Sequence, residues 1–239
     1  GRPEDYLARL RRAGVVADPV ERRALVARDL ERAARKAGGR VRADEALLDE
    51  VTFLVEHPTA VVGSFDRASL DLPPEVVVSE MRNHQRYFAV VDRAGGLVNR
   101  FVAISGTPVR RPAVARHGFE RVLRARLADA RFFFEEDRKR RLRDRIEDLG
   151  RRTYQARLGS ELDRVHRIGS IAVGLARAVG KETLAPDLLE VARLCKTDLT
   201  TGMVGEFPEL QGIMGAHYAR REGLKPEVAD AIEDHYRPV

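Results

Sequence analysis

Two apolar runs around a glycine-containing loop constrain this chain most. Arg86-Tyr87-Phe88-Ala89-Val90-Val91 is followed by Asp92-Arg93-Ala94-Gly95-Gly96, and Leu97 to Ser105 returns as a second run. That order is a hairpin signature. Ala60-Val61-Val62-Gly63-Ser64-Phe65 reads as a further short buried strand. From Gly118 onward strand patterns disappear and apolar residues recur at helical spacing, as in Leu123, Leu127, Ala130 and Phe134. The fold class read from this change is α+β: a mixed region with a β-hairpin, then an all-helical region. The boundary is placed between residues 150 and 160, giving units 1–155 and 156–239.

Helices fill the remainder. Asp18-Pro19 supplies an N-cap acceptor and a proline at the first helical position, and Gly38-Gly39 stops the helix that follows. A second helix fits Ala43 to Glu56, with Leu47, Leu48, Val51 and Leu54 on one side. The segment after Pro73-Pro74 is torn between strand propensity in Val76-Val77-Val78 and a proline-acid helix start, and is read as helix through about Gln85. Later helices fit Glu161–Val179, Pro186–Thr200, Leu210–Glu222 and Pro226–Tyr236.

With 239 residues, 44% of them apolar, the chain can bury a substantial core. No apolar run is long enough to span a membrane, and the start lacks the apolar core of a signal peptide. One cysteine, Cys195, permits neither an internal disulfide nor a cysteine zinc cluster, so a reducing cytosolic setting fits. The net charge of +6 attracts polyanions. Yet only five of the 43 basic residues are lysine, and such a skew also follows from genome base composition.

Two strings concentrate basic residues. Met81-Arg82-Asn83-His84-Gln85-Arg86-Tyr87-Phe88 gathers arginine forks, an amide, an imidazole and aromatic rings, all suited to phosphate and base contacts. Its residue types equally suit a solvated helix end whose rings enter the core. In the second string, Arg121, Arg124 and Arg126 lie close together, and Arg124, Arg131, Arg138 and Arg145 recur every seven residues. On a continuous helix such a row would line one side and track a phosphate backbone. Acids interleave at Glu120, Asp129, Glu135, Glu136 and Asp137, so an ion-paired exposed helix is the competing reading. Phe132-Phe133-Phe134 reads as core or interface.

A third constellation holds His166, Lys196-Thr197-Asp198, His217 and His235. Histidines and a carboxylate on converging helices can ligate a divalent metal. The layout resembles HD-superfamily phosphohydrolases, but Thr197 stands where their paired histidine would be, which argues against a working centre. Phosphate-loop, dinucleotide-turn and nucleophile-elbow motifs are absent from the sequence. Nothing marks Cys195 as activated.

Several long strings resemble one family, the glycyl-tRNA synthetase β subunits of the bacterial tetrameric type. They are Ala46 to Leu54, Pro74 to Asp92 with Met81 to Phe88 at its centre, Glu120 to Ala130, Phe132 to Asp137, and Met203-Val204-Gly205-Glu206-Phe207-Pro208-Glu209-Leu210-Gln211-Gly212-Ile213-Met214-Gly215. The loop Ser105-Gly106-Thr107-Pro108, with Arg110-Arg111, departs from the family's wording. The resemblance implies an interior fragment that lacks the family's N-terminal segment and C-terminal anticodon-binding region. It implies a cytoplasmic heterotetramer in which the α subunit carries the aminoacylation site, with ATP and Mg2+. This chain would then hold no catalytic residue, metal or cofactor. Its partners would be the α subunit, a second β subunit and glycine tRNA, with no membrane. The RNA-facing candidates are Arg82, Asn83, His84, Arg86, Arg121, Arg124 and Arg126. Two rival readings are an HD-type metal phosphohydrolase and a structural subunit-interface module without RNA contact, to which Gly202–Gly215, acidic and apolar at its centre, is well suited.

Overall fold

The computed structural model describes residues 2–237. The chain divides into two compact units, Gly1–Asp129 and Ala130–Val239, with the division inside one long helix. The change of character read at residues 150–160 thus falls within the second unit.

The first unit contains α1 (Tyr6–Arg12), α2 (Pro19–Lys36), β1 (Arg40–Val41), α3 (Glu45–Leu54), β2 (Thr59–Ser64), α4 (Pro74–Ser79), β3 (Phe88–Val91), β4 (Leu97–Ser105) and the first part of α5 (Pro112–Asp137). Asp18 caps α2 as expected, accepting from the Val20 and Glu21 amides. The four strands form an antiparallel sheet in the order β1-β3-β4-β2, with the expected hairpin as its centre. β3 is buried along its length, which is why it reads as a continuous apolar run and not an alternation.

Side chains alternate across that sheet. Phe88, Val90 and Val102 pack with Val26, Leu30 and Ala34 of α2 and with Leu47, Leu48 and Val51 of α3. On the other face the Tyr87 ring stacks on Phe101 at 4.7 Å and meets Phe119 of α5 edge-on at 5.6 Å. Phe101 lies opposite Gly63 in the β2–β4 register, and a Cβ at Gly63 would come within 2.2 Å of its ring. Leu54 departs from the expected buried stripe, being 64% exposed. The helix ends there and Val55 leaves in extended conformation, so Val55 is buried in its place.

The second unit contains the end of α5, a short hairpin of β5 (Thr153–Gln155) and β6 (Gly159–Ser160), α6 (Glu161–Ala178), α7 (Ala185–Leu194), α8 (Gly202–Glu206), α9 (Ile213–Arg221) and α10 (Pro226–Asp234). The β5–β6 hairpin corrects the expectation that strands end before Gly118. Its residues are mostly exposed and carry no apolar alternation to announce it. Ser160 and Asp163 form a reciprocal capping box that starts α6. α7 stops at Leu194, short of the expected Thr200, because Thr197 and Thr200 turn their hydroxyls back onto the carbonyls of Leu194 and Thr197.

Asp137 organises this unit. Its carboxylate accepts the amides of Gly202 and Met203, both at 2.8 Å, and the Tyr218 hydroxyl at 3.1 Å. Arg145, also buried, stands 3.6 Å from the same carboxylate. The seven-residue arginine row is therefore broken: α5 ends at Asp137, and Arg145 is an interior ion-pair partner.

Candidate nucleic-acid interface

The string Arg82 to Phe88 is built as a tight reversal. α4 widens into a π turn over Glu80–His84, Arg86 takes a left-handed φ of 57°, and the Tyr87 amide closes on the Met81 carbonyl at 2.8 Å. A non-glycine residue in that region costs about 1–3 kcal/mol, so the surroundings must hold it. They do so through the acids of α3. Arg82 Nε donates to Asp44 at 2.7 Å, and Arg86 pairs with Glu50 and donates to the Asn83 carbonyl. Asp44 also caps α3 by accepting the Leu47 amide. Asn83 Nδ2 donates to Ser79 Oγ at 3.1 Å, and its side-chain Oδ1 accepts from Arg82. Arg82, Asn83 and Arg86 therefore belong to an internal network, and His84 occupies an exposed position. Tyr87 is core, its phenol pushed up to about 12 by burial.

α5 presents a different arrangement. Leu123 and Leu127 face inward, Arg121 and Arg124 are exposed, and Arg126 is half-buried. No ion pair involves these three arginines among the described residues. The acid placed to neutralise Arg124 at i,i+4 spacing is Glu120, but one Glu120 oxygen accepts both the Ser64 amide and the Ser64 hydroxyl at 2.9 Å. It is drawn to the outer edge of β2 and makes no ion pair with the arginines. His117 lies four residues before Arg121 and seven before Arg124, so all three share one helix face, and it too is exposed. His117 lies outside both basic strings of the sequence. Its spacing to Arg121 was the available signal.

The third constellation does not converge. His166 is exposed on α6, and His217 rests against the Phe134 ring at 5.7 Å. His235 Nδ1 contacts the Ile232 carbonyl at 2.6 Å, and burial pushes the imidazole down to about 4. Among the described residues no three His, Cys, Asp or Glu side chains are grouped to share a metal ion. Thr197 donates its hydroxyl to the Leu194 carbonyl. Asp198 is fully buried and accepts the amides of Gly212 at 2.6 Å and Gly215 at 3.1 Å. Burial nonetheless pushes it up to about 6. Lys196, equally buried, holds its ammonium 3.6 Å from the Tyr236 ring centre, and burial with the nearby Arg164 charge brings it down to about 8. The Cys195 thiol is pushed up to about 11, chiefly by burial, and is a poor nucleophile. This centre is polar and buried, and Asp198 Oδ1 and His235 Nε2 are enclosed in it without a hydrogen-bond partner among the described residues.

Comparison with known proteins gives one result along the whole chain. A family model described as glycyl-tRNA synthetase beta subunit matches residues 1–239. The chain is 72% identical over 239 residues to the glycine–tRNA ligase beta subunit of Anaeromyxobacter dehalogenans (strain 2CP-C), covering all of this chain and 34% of that protein. It is 53% identical over 236 residues to the protein of the same name from Myxococcus xanthus (strain DK1622), covering 99% and 34%. With that from Geotalea daltonii it shares 48% over 233 residues, covering 98% and 34%. The chain thus spans about a third of the length of the curated relatives it matches. No helix among the described residues is long and apolar enough to cross a membrane.

Proposed function

Because the chain belongs to the glycyl-tRNA synthetase beta subunit family, we propose that it is a tRNA-handling, non-catalytic portion of glycine–tRNA ligase. In this reading it supports ATP-dependent attachment of glycine to its tRNA in the cytoplasm. The aminoacylation site, with its ATP and Mg2+, lies on the α subunit, and a second β subunit completes the assembly. The observation that carries the RNA contact is the face of α5 with His117, Arg121 and Arg124, exposed and left without acidic partners because Glu120 is engaged at the sheet edge. Unpaired guanidinium groups on one helix face suit a phosphate backbone. Arg82 and Arg86, already paired, would act by holding the α4–β3 reversal in place. Charge reversal of Arg121 and Arg124 together should weaken binding of glycine tRNA and lower its salt slope by about two, at ~0.9 per phosphate contact. Unchanged affinity and slope would remove α5 from the RNA surface.

One observation favours a subunit contact elsewhere. Ile171 and Leu175 of α6, with Val179 at its C-cap, are 62%, 62% and 67% exposed. Apolar side chains at that spacing suit a partner helix or subunit, so assembly is assigned to the α6 face and RNA contact to α5.

A further inference from the structure

The helical unit contains a second concentration of arginine that the sequence disperses. Arg138, Arg140 and Arg141 follow the end of α5, and Arg221 ends α9. All four line one hollow of about 360 Å³ with Tyr218 and Glu222. Of its two acids, Asp137 is buried and Glu222 is exposed. Asp137, at its floor, gives its oxygens to Gly202, Met203 and Tyr218. Glu222 accepts the Leu142 amide at 2.9 Å and is shifted upward by burial, against the pull of the nearby Arg141 charge. Arg140 is neutralised by Asp148 at 2.9 Å and donates to the Asp144 carbonyl. Arg138 lies over the Phe134 ring at 5.4 Å. That leaves Arg138, Arg141 and Arg221 exposed around one concavity, and no ion pair involves them among the described residues.

The geometry points to a phosphate-binding hollow in which Arg138, Arg141 and Arg221 hold the backbone of an RNA strand. This rests on the tRNA-handling reading and adds a contact in the helical unit. Guanidinium forks grip phosphate oxygens two at a time. A hollow of this size admits a phosphate with its sugar, whereas a flat arginine face would only graze it. Neighbouring Arg220 shows the contrast: it is tied to Asp230 at 2.8 Å and Glu233 at 2.9 Å and is not available.

The test is glycine tRNA binding by this chain across a salt series, comparing wild type with Arg141→Glu, Arg221→Glu and, as a net-charge control, Arg35→Glu. Both hollow variants are exposed sites, and circular dichroism would confirm that they fold. The expected result is a loss of roughly tenfold or more for each, with the salt slope reduced by about one, while the control changes little. If wild type binds and the hollow variants match the control, the hollow is not an RNA site, although the tRNA reading stands. If wild type itself shows no salt-dependent binding, the tRNA reading fails and the hollow fails with it. Competition by a mononucleotide as strong as by tRNA would also overturn the assignment to an RNA backbone.

Discussion

Replacing Asp137 by alanine removes the acceptor on which the helical unit is organised. The side chain is 5% exposed and takes two backbone amides at 2.8 Å, a tyrosine hydroxyl at 3.1 Å and a buried arginine at 3.6 Å. A hydrogen bond to a charged group contributes roughly 1.5–3 kcal/mol net. Breaking a buried ion pair from one side costs about 3–5 kcal/mol. These overlap, since one carboxylate serves all four partners, and Arg145 keeps donations to the Asp137 and Thr200 carbonyls. A loss of about 4 kcal/mol is expected, a large share of the 5–15 kcal/mol of an ordinary domain. Asp137→Asn keeps one acceptor oxygen and should lose about half as much. Urea unfolding of the wild type and both variants reads this directly. Adding Arg145→Met to the alanine variant should cost less than the sum, because the unpaired buried charge is then gone. A loss under about 1 kcal/mol for Asp137→Ala would refute the claim that this carboxylate organises the unit.

Lys196 supplies a pH prediction. Burial brings its ammonium to about 8 in the fold, whereas an unfolded lysine titrates near ~10.4. At this group the unfolded chain binds more protons between these values, so the Lys196 contribution to stability should rise from about pH 8 to 10, against an opposite contribution from the Cys195 thiol, which burial keeps protonated to about 11. The rise should be of order 1–3 kcal/mol, and urea midpoints of Lys196→Met should lack it; equal slopes in the two proteins would contradict the assignment. Two glycines should respond in opposite directions in thermal melts. Gly63→Ala forces a Cβ against the stacked, fully buried Phe101 ring and should cost about 1–3 kcal/mol. Gly118→Ala, inside α5 with open space around it, should gain about 0.5–1 kcal/mol; a loss there would be inconsistent with the helix assignment.

The hairpin, α2 with its Asp18 cap and the buried positions of α5 were legible because each is local: turn residues, caps and 3.6-residue periodicity all lie within a few positions of one another. What escaped the sequence is the destination of charge. Glu120 and Asp137 read as acids interleaved among arginines, yet their partners are Ser64 and Gly202, reached only through the tertiary fold. For the same reason Arg82 and Arg86, in the most distinctive string, proved to be bound to Asp44 and Glu50 of α3. Arg141 and Arg221 attracted no notice because they meet only across the α5 and α9 ends. The left-handed Arg86 could not have been foreseen, since residue type alone does not favour that conformation outside glycine and asparagine.

The central claim is that this chain contacts tRNA through phosphates, first of all along the His117–Arg121–Arg124 face. The measurement that tests it most directly is the affinity of the purified chain for glycine tRNA and for an unrelated tRNA, from low to moderate salt. The account predicts binding whose logarithm falls steeply and linearly with the logarithm of salt, tighter for the glycine tRNA. Absence of binding at low salt would contradict it and would leave the chain a part of subunit assembly alone.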